Sequence, residues 1–181
     1  MQEGYVHNMW NMDVQVIFSS YMEVLVIPQI TKGGKFVFGW SVVRSNGQVR
    51  LPDMASDEYH ITSEGKVILF TGSAKTGGFC VTRRGLLQES PMGVLPDNPD
   101  LDCYERPEGV FVSYKGRKYC WLTISEDRTL SLTEEMLRIL GIGPGSKLLS
   151  IRGSCFAFVM GAKGPLLERA NQYQGDIDFF V

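Results

Sequence analysis

Shifted against itself by 81 positions, the sequence brings Trp40 onto Trp121, Leu51 onto Leu132, Ile61 onto Ile142, Lys66 onto Lys147, Gly72 onto Gly153 and Ser73 onto Ser154. Like residues fill the intervals: Val43 with Ile124, Val49 with Leu130, Asp53 with Glu134, and Val67-Ile68 with Leu148-Leu149. A slip of two residues carries the match on, with Phe79 on Phe158, Gly85 on Gly164, Leu87 on Leu166 and Glu89 on Glu168. Identities are sparse, and two unrelated β-hairpin stretches would share some of them. The common order of inferred elements favours two diverged copies of one small unit. Small units bury little surface alone, so the copies are expected to share one core.

Each copy reads the same way. A strand (Lys35 to Val43; Lys118 to Ile124) runs into a polar turn (Ser45-Asn46-Gly47; Ser125-Glu126-Asp127). A second short strand follows, Gln48 to Leu51 or Thr129 to Leu132, and then one short helix. In the second copy Thr133 is the expected N-cap, and Glu134 and Glu135 complement the helix dipole. Met136, Leu137 and Leu140 recur at helical spacing, and Gly141 stops the helix. The first copy has Pro52 at the opening and His60 where Gly141 stands, so its helix should be shorter or frayed. Pro144-Gly145 makes a turn, and Lys147 to Arg152 with Cys155 to Met160 read as a hairpin closed at Gly153-Ser154. Gly72 to Gly78 is rich in glycine but lacks the order of a phosphate loop and precedes a strand, so it reads as a hairpin loop.

The fold class expected is mostly β with short helices. The chain divides into an N-terminal arm (1–21), a first repeat (22–88), an acidic Pro-rich linker (89–108), a second repeat (109–170) and a C-terminal tail (171–181). The linker is read from Pro91, Pro96, Pro99 and Pro107 among six acidic residues and one Arg. No apolar run reaches the roughly 18 residues that a membrane span needs. Glu3 and Asp13 stand where a secretory signal would carry basic charge. Cys80, Cys103, Cys120 and Cys155 show no CxxC spacing and read as reduced thiols. The expected location is cytoplasmic, with no membrane association.

The run from Arg128 to Leu148, RTLSLTEEMLRILGIGPGSKL, resembles the signature of the AbrB, SpoVT and MazE regulators. That signature is a short strand, a capped helix ending in Leu-Gly-Ile, a Pro-Gly turn and a strand. The first copy supplies NGQVRLP over 46–52, similar to the family's Gly-Arg-Val-x-Ile-Pro opening. The resemblance covers about 50 residues of each copy. Family members interleave the hairpins of two chains in one barrel. It therefore implies a swapped-hairpin AbrB-like barrel (SpoVT-AbrB domain) formed here as an internal pseudo-dimer, either monomeric or assembled into a higher homo-oligomer. It also implies DNA binding and transcription regulation. Where the family commonly has Arg after the turn glycine, this chain has Gln48 and Thr129. Of the helix's paired basic residues only Arg138 is present, and the first copy has Ser56 and Asp57 there.

The net charge of −2 is unevenly spread. Met22 to Gln88 carries +3 and Gly109 to Ala170 carries +4, while the linker carries −5 and each terminal arm −2. A basic pair of repeats suits phosphate, though the same charges also suit a solvated surface. The candidate DNA contacts are Arg44 and Arg50 around the first turn, Arg128 at the second and Arg138 on the helix. Guanidinium groups take phosphate or guanine edges in a bidentate way. Arg83-Arg84 and Lys115, Arg117 and Lys118 are further basic groups, equally suited to guarding strand edges. Trp40 and Trp121 are read as packing residues.

His7 and His60 are the only histidines, too few for a metal cluster, and no GxSxG or triad accompanies them. No catalytic, cofactor-binding or metal residue is assigned, and the protein is not expected to be an enzyme. The leading expectation is duplex DNA as partner. The alternative is a protein-interaction or assembly module that kept the barrel and lost DNA binding. The C-terminal tail, Asp176 to Val181, would then bind a protein partner, as the extended tails of MazE-type antitoxins do.

Overall fold

The computed structural model describes residues 35–89 and 104–181. The N-terminal arm, residues 22–34 of the first repeat, and linker residues 90–103 with Cys103 lie outside the described residues. The first copy runs β1 (Val37–Val42), β2 (Gln48–Arg50), α1 (Asp53–Glu58), a 3-10 turn (Ile61–Glu64), β3 (Lys66–Thr71), β4 (Phe79–Thr82) and α2 (Arg84–Glu89). The second runs β5 (Val112–Tyr114), β6 (Arg117–Thr123), β7 (Thr129–Ser131), α3 (Glu134–Leu140), β8 (Lys147–Arg152), β9 (Phe158–Gly161) and α4 (Pro165–Gln172), and β10 (Phe179–Phe180) follows. The protein is mostly β with short helices.

Eight strands form one sheet in the order β10-β1-β8-β9-β4-β3-β6-β5, and β2 pairs with β7 in a separate ribbon. The pairings between copies follow the offset seen in the sequence. Trp40 lies opposite Leu149, and its match Trp121 lies opposite Ile68. The ribbon sets Gln48 against Ser131 and Arg50 against Thr129, symmetrically about Val49 and Leu130. β4 and β9 set Phe79 against Met160 and Val81 against Phe158, symmetrically about Cys80 and Val159. The loops repeat the relation: Leu132 donates its N–H to the Gly47 carbonyl, and Leu51 donates to that of Arg128. Each copy's hairpin, β3–β4 or β8–β9, thus lies between strands of the other copy.

The large sheet is not closed. Closure would have to join the outer edges of β1 and β6. Those edges are taken by β10, parallel to β1, and by β5, antiparallel to β6. Neither covering strand has a counterpart among the described residues of the first copy.

Alternation along the strands sends side chains to two faces. Val67 and Leu69, Phe79 and Val81, and Phe158 and Met160 enter the main core, together with Val49, Leu51, Leu130 and Leu132 from the ribbon side. Ile68, Phe70 and Cys80 point to the opposite face and cluster with Tyr119 and Leu87. Leu149 and Ile151 do the same in the second copy, with Trp40 and Ala170. Strands covered on both faces read as unbroken apolar runs, which is the pattern of 67–70 and 148–149.

The helices end as their residues dictate. Thr133 caps α3 by accepting a hydrogen bond from the Met136 N–H at 3.3 Å, an arrangement that stabilises by about 1 kcal/mol. Met136, Leu137 and Leu140 are buried, each contributing about 1.5–3 kcal/mol by leaving water. Gly141 ends the helix at φ 66°. His60, at the matched position, takes the same left-handed conformation at φ 48°, which costs a side-chain-bearing residue roughly 1–2 kcal/mol. α1 accordingly stops at Glu58, six residues long against seven in α3.

Three segments differ from the sequence reading. β9 begins at Phe158, so the loop after β8 spans 153–157 and is wider than a two-residue closure. Residues 104–108 of the linker are fastened down: the Trp121 indole donates to the Arg106 carbonyl at 2.7 Å, and Glu108 accepts from the Thr123 N–H. The C-terminal tail returns to the sheet, where Phe179 stacks on Trp40 at 6.1 Å between centroids. Phe180 lies against Gly39, where a Cβ would come within 2.7 Å of its ring. Cys80, Cys120 and Cys155 are free thiols, and burial pushes Cys80 up to about 11 and Cys120 up to about 12. No helix among the described residues is long and apolar enough to cross a membrane.

Candidate nucleic-acid interface

The ribbon β2–β7 brings the two polar turns and helices α1 and α3 together. Each turn lies at the other copy's helix: Gly47 sits against Leu132 and Leu137, and Arg128 reaches Asp53 and Asp57 on α1. Gly47 and Arg128 occupy matched positions and share a left-handed backbone, at φ 79° and φ 66°. At Gly47 a Cβ would come within 2.3 Å of the Leu132 carbonyl oxygen, so this turn is closed to larger residues. Between the first turn and α3 lies a cleft of about 600 Å³, with Asn46 on one side and Arg138 on the other.

The four candidate arginines do not form one open cluster. Arg50 bonds Asp53 at 3.1 Å, donates to the Asp127 carbonyl and lies over the Phe180 ring at 5.4 Å. Arg128 places one nitrogen 2.7 Å from Asp53 and another 2.7 Å from Asp57. The structure therefore joins Arg50 and Arg128 through the shared Asp53 carboxylate. Arg44 is half-buried and donates to the Gln48 side-chain carbonyl at 3.2 Å. Arg138 stands apart, with 78% of its side chain exposed and Glu135 no nearer than 3.9 Å.

The positions where the resemblance leads one to look for arginine are occupied by internal polar contacts. The Gln48 side-chain carbonyl accepts from both Arg44 and Asn46, and the Gln48 N–H donates to Asn46 Oδ1 at 3.1 Å, an Asx turn. Thr129 is buried and bonds Asp127 at 3.0 Å. Hydrogen bonds from Ser125, then from Thr129, hold the exposed Asp127 carboxyl below its ordinary value, so the tip of the second turn stays negative.

The residues that decide this electrostatic picture are the acids of α1. Asp53 and Asp57 take Arg128, and Glu58 takes Arg152, which also lies over the Phe36 ring at 4.2 Å. Matched positions on α3 hold Glu134 and Arg138, both exposed. The charge reversal from Asp57 to Arg138 was visible in the repeat alignment. Its consequence, that α1 is tied to the other copy while α3 is left open, needed the turn-to-helix contact. No protein-family model matches this chain, and no curated protein matches it.

Proposed function

We propose that this chain is a DNA-binding regulator of the AbrB type, built as an internal pseudo-dimer of swapped hairpins, with the ribbon, turns and α3 facing duplex DNA. The observation that carries the reading is the symmetric register about Val49–Leu130 and Cys80–Val159. It gives one chain the interleaved hairpins that family members assemble from two. A pseudo-twofold of this kind suits the near-twofold geometry of duplex DNA. Contacts are concentrated on the second copy's helix, because Arg138 is exposed while Arg50 and Arg128 are held by carboxylates. The site is thus half of a symmetric one, and a palindromic target is not required.

A second reading is favoured by one observation. Asp53 and Asp57 neutralise the arginine pair, as a protein-interaction module that had left DNA would allow. In that case the end of the tail, with Phe179 of β10 and Val181 beyond it exposed, is the surface offered to a partner. Fluorescence anisotropy on a labelled random duplex at two salt concentrations separates the readings. With two to four phosphates neutralised, log K falls against log salt with a slope of roughly −2 to −4. Correctly folded protein that binds no duplex at low salt would establish the interaction module instead.

A further inference from the structure

A cavity of about 310 Å³ lies between α4 and the outer face of the sheet, with no ribbon residue in its lining. Leu149, Ile151, Val159, Leu166 and Leu167 give it an aliphatic lining. Lys35, Lys75, Lys163 and Arg169 stand around it. All four are exposed, and none pairs with a carboxylate among the described residues. Among the described residues, no acidic and no aromatic side chain contributes to the lining.

The repeat gives this cavity an internal control. Phe70 stands in the first copy where Ile151 stands in the second. It stacks on Tyr119 at 5.3 Å between centroids, and Tyr114 meets Tyr119 edge-on at 6.2 Å. Together with Ile68, Cys80 and Leu87 these rings cover the equivalent ground. Among the described residues, the same architecture is therefore filled by side chains in one half and left hollow in the other.

We propose that the cavity is a binding site for a small amphiphilic anion, a medium-chain aliphatic carboxylate. The volume is at the lower end of what small-molecule sites enclose. An aliphatic lining without aromatic rings suits a flexible alkyl chain better than a planar ring system, which would stack. Four cations with no ion-pair partner among the described residues suit one carboxylate at the mouth, and their long stems cover the upper part of the chain while the charges stay in water.

Calorimetry with the full chain and decanoate below its micellisation threshold tests this directly. Decanoate is expected to bind with Kd in about the ten- to several-hundred-micromolar range. 1-Decanol and decyltrimethylammonium should bind about tenfold more weakly, and acetate should not bind measurably. Lys163→Glu with Arg169→Glu should weaken decanoate about tenfold and leave 1-decanol unchanged. Ile151→Phe, which copies the first half, should abolish binding of both. If Ile151→Phe fails to fold, the charge-reversal pair carries the test, since both its positions are exposed. Equal affinity for decanoate, 1-decanol and decyltrimethylammonium, or no effect of the charge reversal, would overturn the proposal. So would absence of decanoate binding by the full chain.

Discussion

Arg128, in the turn of the second copy, sets its guanidinium 2.7 Å from Asp53 and 2.7 Å from Asp57 on the helix of the first. One side chain thus spans the two repeats and removes its own charge from the face that would meet DNA. Arg50, bonded to the same Asp53, is drawn into the arrangement.

Replacing both acids, Asp53→Asn with Asp57→Asn, frees that pair of arginines. The ion pairs are partly solvated, with side-chain exposures from 27% to 69%, so the loss of stability should stay within about 1 kcal/mol. Affinity for duplex DNA at low salt should rise several-fold and its salt dependence steepen. Unchanged affinity in the anisotropy titration would mean that the ribbon is not the contact surface.

Arg138→Ala should act in the opposite sense. The side chain is 78% exposed and, among the described residues, makes only a long contact to Glu135, so the melting temperature should not move. A lone phosphate contact would cost affinity on every sequence alike and reduce the salt slope by about one. A base contact would cost about 1–3 kcal/mol and relax preference at one position. Asp57→Ala, at the matched position of the first copy, should strengthen binding. Two variants that behave identically would contradict the asymmetry.

The repeat, its two-residue slip and the ends of α3 were legible because they rest on local residues: Thr133, Gly141, and Phe79 against Phe158. The shorter α1 was legible from His60 for the same reason. Helices α2 and α4 were not, since Arg84–Glu89 has six residues and Pro165–Gln172, though amphipathic, has only eight and runs across the boundary drawn for the tail. The two edge strands were not legible either, because β5 and β10 are three and two residues long and have no described counterpart in the first copy to reveal them. At the candidate interface the arginines were found but not their partners. Asp53 and Arg128 are 75 positions apart, and only the crossing of turn and helix brings them together.

Glu64 supplies a pH test of the fold. Burial opposes its ionisation, but hydrogen bonds from Arg83, the Gly85 N–H and the Tyr104 hydroxyl outweigh it and hold the carboxyl below its ordinary value. Stability from such a group is full above the unfolded value, about 4.3, and is lost as pH falls through the folded value. Denaturant titrations between about pH 5 and about pH 3 should show a steeper loss for the wild type than for Glu64→Gln. Parallel losses would mean that the Arg83–Glu64–Tyr104 network does not stabilise the protein.

Among the described residues, only two strand pairings lie within the second copy, β5 with β6 and β8 with β9. Strands β6, β8 and β9 each take a further partner, β3, β1 and β4, from the first copy, and β7 pairs with β2 of the first. Light scattering and circular dichroism on an isolated Gly109–Ala170 fragment test this dependence directly. The fragment should either dimerise, each copy supplying the other's missing strands, or remain unfolded. A stable monomer with native-like spectra would contradict the interleaving of the two repeats.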